Sequence, residues 1–158
     1  MDKFDKYYKR KNVWIPDEVV NRYMKYDNRH LLISNGYSVI YSKTIRNDFK
    51  ELENKEYYKG ICDFYKSCVN KDKFEIIKTL KLSDITNNLE ESITRYNVKM
   101  YEICDRYYID YLSLRKIVDI IGCEEVNIMK NVNLKYDYVI EIIGKDNQNG
   151  YLLPSKMM

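Results

Sequence analysis

Ser113-Leu-Arg-Lys-Ile-Val-Asp-Ile-Ile-Gly122 begins the part of the chain that decides the predicted fold, and this part continues to Leu153. Apolar residues recur along the run at spacings of three and four, which predicts a short amphipathic helix over 113–121. Gly122 adopts a positive φ at little cost, so it suits the turn after this helix. The next run, Glu124-Glu-Val-Asn-Ile-Met-Lys130, is interpreted as a second helix over 124–131.

After these two helices the sequence predicts a terminal β-hairpin. Tyr138-Val-Ile-Glu-Ile-Ile143 is rich in β-branched residues, which favour strands. Asn147-Gln-Asn-Gly150 is predicted to turn, with its last two residues closing the turn, and Tyr151-Leu-Leu153 to return. Helix, turn, helix and hairpin is the order of elements in a winged helix-turn-helix. Residues 112–153 are therefore predicted to form such a unit, with the hairpin as its wing.

Three segments of this region also carry a resemblance to a known group of proteins. The segments are Ser113 to Gly122, Tyr136-Asp-Tyr-Val-Ile and Asn149-Gly-Tyr-Leu-Leu153. Together they resemble the amino-terminal DNA-binding modules of phage and large-virus antirepressors, the KilA-N and related group. The resemblance covers roughly the last 45 residues. It implies a regulatory protein that binds nucleic acid.

The rest of the chain is interpreted as mainly helical with one further hairpin. In the run His30 to Tyr41, Asn35-Gly36 between two β-rich segments is a strong hairpin signal. The overall prediction is an α+β fold, mainly helical, with two small hairpins. From their apolar spacing, helices are predicted over residues 16–27, 45–68, 73–80 and 83–108.

A second resemblance follows from this succession of helices. Small Tyr- and Lys-rich helical proteins of poxviruses often form a Bcl-like bundle, and the chain is similar to them in composition and helix order. That resemblance implies binding to host apoptotic or innate-signalling proteins. The Asn-Trp-Gly-Arg motif of the cellular family is absent, and the two hairpin signals favour the winged unit over an all-helical bundle.

The positive charge of the chain is concentrated at its beginning. Residues 1–12 carry five cationic side chains against Asp2 and Asp5, a local balance of +3, and the whole chain also has a net charge of +3. This segment is interpreted as a flexible basic arm that follows a phosphate backbone, and residues 13–158 as a single globular domain. The cationic side chains of the arm are Lys3, Lys6, Lys9, Arg10 and Lys11.

The predicted nucleic-acid contacts outside the arm lie in the winged unit. Asn127, Lys130 and Asn131 are expected to face a groove from the second helix, and Lys145 to lie on the wing. Between residues 112 and 158 six Lys or Arg residues balance six Asp or Glu residues. The unit is therefore neutral, and the arm or a second subunit must supply the attraction to phosphates. A homodimer is compatible with this hypothesis.

The sequence indicates a binding protein rather than an enzyme. No paired carboxylates, nucleophile with a base, or phosphate-binding loop stands out, and no cofactor is expected. The four cysteines and the single histidine do not assemble a zinc set at ligand spacing, so no metal is expected. No apolar run approaches the roughly 20 residues of a membrane span, and no signal peptide is recognised. Lys, Asn, Ile, Tyr and Asp dominate and Ala is absent, a skew typical of AT-rich genomes such as those of many large DNA viruses, some phages and some low-GC bacteria. Together with the two resemblances, this favours a viral protein inside the host cell, in the cytoplasm or nucleus.

Overall fold

The computed structural model describes residues 22–27, 29–34, 38–43, 50–51, 55–91, 99–104, 106–134 and 137–156. Within these ranges the chain forms twelve strands and three helices, and β-sheet dominates. The prediction of a mainly helical α+β fold is therefore wrong, and so is the winged helix-turn-helix built on it. Residues 1–12, the predicted arm, lie outside the described residues.

The elements are numbered in chain order. The strands are β1 (Arg22–Lys25), β2 (Leu31–Ser34), β3 (Ser38–Ser42), β4 (Lys50–Glu51), β5 (Phe74–Leu80), β6 (Glu90–Glu91), β7 (Lys99–Cys104), β8 (Tyr107–Asp110), β9 (Glu125–Asn131), β10 (Tyr138–Ile143), β11 (Asn149–Leu152) and β12 (Ser155–Lys156). The helices are α1 (Lys55–Val69), α2 (Leu82–Thr86) and α3 (Tyr111–Ile121).

Two sheets organise these strands. The large sheet has eight strands in the order β4-β1-β2-β3-β11-β10-β9-β5, and all its neighbours are antiparallel except β1 and β4. The small sheet has the order β12-β8-β7-β6. Because β3 pairs with β11, the early hairpin and the late hairpin belong to one continuous sheet.

Helices cover both faces of the large sheet. On one face, Leu114, Ile117 and Ile121 of α3 lie in a buried cluster with residues of six strands, and Ile109 of the small sheet joins them. On the other face, Cys62, Tyr65 and Cys68 of α1 lie in a second buried cluster. A strand that is covered on both faces has no solvent side, so its sequence lacks the alternation of apolar and polar residues.

Helix α3 confirms the helix predicted over 113–121. Its first turn is capped by Asp110, whose carboxylate accepts hydrogen bonds from the backbone N–H groups of Leu112 and Ser113 at 2.9 and 3.5 Å. Burial raises the pKa of the Asp110 carboxyl above its ordinary value. The helix ends at Gly122, which has a φ of 70° and donates its N–H to the Val118 carbonyl.

Both hairpins are present, but the later one turns elsewhere than predicted. Strands β2 and β3 pair from Leu31 with Ser42 to Ser34 with Val39, and the turn predicted at Asn35-Gly36 lies outside the described residues. Strand β10 matches the predicted run, and the turn after it uses Asp146 and Asn147, which have φ values of 58° and 61°. Residues 149–150, predicted to close the turn, instead pair within β11.

The second predicted helix of the winged unit is strand β9. Val126 and Ile128 point to the α3 face of the sheet, whereas Met129 points to the α1 face. All three are buried, because β9 is an interior strand between β10 and β5. An interior strand of this kind places apolar residues at spacings of two and three, which imitates a helical pattern.

Of the other predicted helices, one is present in part, and within the described residues the rest are replaced by strands or by shorter elements. The described part of the segment 45–68 contains α1, but the segment 73–80 is strand β5. Residues 83–108 contain the short helix α2 and strands β6 and β7 instead of one long helix, and β8 begins at residue 107. The end of the segment 16–27 is strand β1, and its beginning lies outside the described residues. In the described parts of the chain, no helix has the length and apolarity needed to cross a bilayer.

Candidate functional site

The structure separates the residues that were predicted to contact nucleic acid. Asn127 and Asn131 belong to β9 and are 6% and 4% exposed, so neither side chain faces a groove. Lys130 lies between them on the opposite face of the same strand and is half-buried. The five cationic residues of the predicted arm, Lys3, Lys6, Lys9, Arg10 and Lys11, lie outside the described residues.

Asn127 is the centre of a hydrogen-bonded chain of polar side chains. Its Oδ1 accepts from the Thr79 hydroxyl at 2.8 Å, and its Nδ2 donates to Glu141 Oε1 at 2.8 Å. The Tyr151 hydroxyl donates to the other oxygen of Glu141, again at 2.8 Å. These bonds link β5, β9, β10 and β11 on the α1 face, so Asn127 has a structural role in the large sheet.

Asn131 is also bonded within the protein. Its Nδ2 donates to Asp137 Oδ2 at 3.1 Å, and its Oδ1 accepts from the backbone N–H of Asn133 at 2.8 Å. These bonds fasten the connection between β9 and β10. The amide of Asn131 is therefore engaged in shaping this connection.

Lys145 lies in the turn between β10 and β11 and is exposed. Its aliphatic stem lies over Gly122, and its backbone N–H donates to the Ile121 carbonyl at the end of α3. A shallow depression of about 410 Å³ beside this turn is lined by Glu124 and Asp146 among others. Carboxylates beside Lys145 oppose a phosphate contact at this turn.

A second polar cluster connects the first hairpin to α1. The Asp27 carboxylate accepts from the Tyr41 hydroxyl at 3.1 Å and lies 3.0 Å from His30 Nδ1. The backbone N–H of Arg29, with smaller contributions from His30 and Tyr41, lowers the pKa of Asp27 to about 2. The Tyr41 ring stacks on His30 and on Tyr65 of α1, with centroids 4.0 and 5.5 Å apart.

This cluster holds the hairpin and the helix together. Burial, reinforced by Asp27, raises the pKa of Tyr41, and burial raises the pKa of Tyr65 to about 12. The protonated Tyr41 hydroxyl is the group that donates to the Asp27 carboxylate. In the described ranges, no three His, Cys, Asp or Glu side chains approach closely enough to hold a metal ion.

The most unusual exposed feature is strand β5, at one end of the large sheet. It is seven residues long, and the five residues between Phe74 and Leu80 are all exposed. Ile76 and Ile77 lie side by side in the strand and are 55% and 48% exposed. Among the described residues, β5 pairs with β9 alone, so its outer edge presents backbone groups to a partner.

Further exposed apolar residues lie in the segment that follows β9. The backbone N–H of Val132 donates to the carbonyl of Lys73, which continues the pairing of β9 with β5 by one step. Val132 and Leu134 are 44% and 57% exposed. We call the outer edge of residues 74–80 the β5 edge. Sequence reasoning missed this site because it assigned residues 73–80 to a helix, although Ile76-Ile77 within a β-rich run was the available signal.

Comparison with protein-family models, with curated proteins and with solved structures finds no match for this chain.

Proposed function

We propose that this chain is a non-enzymatic binding protein that adds an extended segment of a protein to its large sheet at the β5 edge. The observation that carries the proposal is an outermost strand of seven residues with two adjacent, half-exposed isoleucines. Strand addition uses main-chain hydrogen bonds for affinity and alternate side chains for specificity. The exposed side chains of Ile76 and Ile77 add apolar area that is buried when a segment pairs at this edge.

A comparison of the sheet ends supports β5 as the site. Among the described strands, the other ends of the two sheets are β4, β6 and β12, and each has two residues. Within the described residues, β5 is the longest strand at an end of either sheet.

Two features of β5 make its edge selective. Glu75 and Lys78 flank the isoleucines, and the pairing with β9 is irregular between Ile76 and Lys78. Charges and irregularities on an edge discourage indiscriminate pairing with flat apolar strands. A segment whose charges complement Glu75 and Lys78 is accepted in preference to one whose charges repel them.

The proposal is tested by site-specific photo-cross-linking in cells that produce the full chain. A photoreactive amino acid in place of Ile77 is expected to form an adduct of defined mass with a protein, and Ile76→Lys in the same chain is expected to abolish it. The same photoreactive group in place of Lys66, which is exposed on α1, is the matched control. Absence of an adduct at position 77, or equal adducts at 66 and 77, would overturn the proposal.

A second candidate function is binding to nucleic acid through the basic segment. The observation that favours it is that residues 1–12 hold a balance of +3, equal to the net charge of the whole chain. A variant with Gln at all five cationic positions of this segment is expected to bind duplex DNA more weakly. The slope of log binding constant against log salt concentration is expected to flatten by about 0.9 for each lost phosphate contact. The five positions are Lys3, Lys6, Lys9, Arg10 and Lys11. Fluorescence anisotropy at several salt concentrations measures this, and unchanged binding by the substituted chain would exclude the segment.

A further inference from the structure

We infer that the β5 edge accepts the β5 edge of a second copy of this chain, so that two large sheets join in antiparallel fashion across a two-fold axis. This inference rests on the proposed strand addition and names its partner.

The sequence of β5 is complementary to itself. In Phe74-Glu-Ile-Ile-Lys-Thr-Leu80, an acid and a base stand at equal distances on either side of the two isoleucines. In a two-fold interface the same patch serves both subunits, so each contact occurs twice. An antiparallel pairing centred between Ile76 and Ile77 therefore places Glu75 of each copy opposite Lys78 of the other and brings the isoleucines together.

The irregularity in β5 makes this pairing geometrically consistent. In the register with β9, Glu75 lies opposite Lys130 and Lys78 lies opposite Ile128. Lys130 and Ile128 are two residues apart, so they point to the same face of the sheet. Glu75 and Lys78 consequently share that face. In a regular strand, residues three apart point to opposite faces, and the two charged side chains could not meet across the interface.

The charges around the axis also favour this register. Lys130, Glu75 and the second copy's Lys78 follow one another on one face with alternating sign, which stabilises cross-strand neighbours. Moving the axis by one residue toward the start of β5 places Lys73 opposite Lys78, where like charges repel. Moving it by one residue toward the end places Glu75 opposite Leu80. Both of these shifted registers are therefore disfavoured, the first by repulsion and the second by a desolvated carboxylate.

A charge exchange in the purified full chain tests the inference. Two seven-residue edges form a small interface, and such interfaces associate weakly, so mass is followed by analytical ultracentrifugation over a wide range of concentration. The wild-type mass is expected to rise from 19.2 kDa toward twice that value. Glu75→Lys alone and Lys78→Glu alone are expected to remain monomeric at concentrations where the wild type pairs, whereas the double variant is expected to pair again.

Charge changes on α1, away from the β5 edge, are the controls. Asp63→Lys and Lys66→Glu change the same charges at exposed positions on α1 and are expected to pair like the wild type. A wild type that stays monomeric at every concentration, single variants that still pair, or a double variant that does not recover would overturn the inference. If the wild type stays monomeric while position 77 still cross-links to a different protein in cells, strand addition stands and self-pairing fails. If neither occurs, both fail.

Discussion

At position 150, the absence of a side chain decides how closely α3 approaches the large sheet. A Cβ atom placed on Gly150 would lie 2.8 Å from Cγ2 of Ile117. Gly144 follows β10 in the same hairpin. A Cβ atom placed on it would lie 2.9 Å from side-chain atoms of Ile121. The two glycines therefore allow the last two turns of α3 to pack closely against the hairpin.

Replacing Gly150 by Ala is expected to destabilise the protein by about 1–3 kcal/mol, because the added methyl group overpacks the contact with Ile117. Urea unfolding measures the loss. Gly60→Ala is the matched control, since no atom lies within 4 Å of its Cβ position in α1 and a helical alanine is favoured over glycine by roughly 0.5–1 kcal/mol. A neutral Gly150→Ala variant would contradict the close approach.

Gly150 also shows a limit of sequence reasoning. Asn149-Gly150 has the composition of a turn, and the sequence predicted one there. The structure turns at Asp146 and Asn147, two residue types that tolerate positive φ, and uses the glycine for packing. A glycine that is needed for close approach cannot be told from a turn glycine until its neighbour in space is known.

Asp27 is expected to make the stability of the protein depend on pH in the acid range. Its pKa is lowered from 3.8 to about 2 by the N–H of Arg29 first, with further bonds from His30 and Tyr41. A lowered carboxyl pKa contributes stability above the ordinary value of 3.8, and that contribution is lost as the pH falls toward about 2.

Thermal unfolding of the wild type and of Asp27→Asn is therefore expected to differ most above pH 3.8 and to converge as the pH approaches about 2. The neutral amide imitates the protonated acid, which explains the convergence. A difference in melting temperature that stays constant over this range would show that the charge of Asp27 contributes nothing to stability.

At the scale of elements, β9 joins the β5 edge to the rest of the large sheet. The polar chain from Thr79 through Asn127 to Glu141 crosses three strands on the α1 face. Asn127 is 6% exposed, so water does not replace its bonds easily. The position of β5 depends on this strand and on these bonds.

Asn127→Ala is expected to cost about 1–3 kcal/mol, because Thr79 and Glu141 each lose a partner in a partly buried setting. Hydrogen exchange is expected to accelerate in β5 and β9 before it accelerates in β2 and β3. Asn133→Ala, at an exposed position in the loop after β9, is the control and is expected to stay within about 0.5 kcal/mol of the wild type. An equal free energy of unfolding for the two variants would show that Asn127 does not stabilise the sheet.

The elements that the sequence predicted correctly differ from the others in a physical way. The run Leu31–Ser34, the run Tyr138–Ile143 and the helix ending at Gly122 each carry local signals, namely β-branched residues or a helical stripe with a stop. In β9 and β5, the apolar spacing fits a helix as well as a strand. Their identity is fixed by neighbours in the sheet that are distant in sequence, such as β10, and a single sequence does not reveal these.

At the scale of the whole molecule, the large sheet joins segments from the two halves of the chain. Strand β3 pairs with β11, and Ser42 donates its hydroxyl to the side chain of Gln148 at 2.8 Å across the same junction. Long-range pairing of this kind produced the β-rich architecture that local patterns predicted as helical. Strand β5 lies at the end of this sheet, so the β5 edge depends on pairings between segments that are distant in sequence. The candidate site could therefore not be recognised from the sequence alone.

The β5 edges of two copies are expected to pair and so to extend the large sheet across both molecules. Hydrogen–deuterium exchange of the purified chain at low and at high concentration tests this pairing at the level of single backbone amides. The expected result is that backbone amides of residues 74–80 exchange more slowly at high concentration, while those of the exposed surface of α1 and of the β10–β11 turn do not change. Exchange in residues 74–80 that is independent of concentration would contradict the pairing of two copies through this strand.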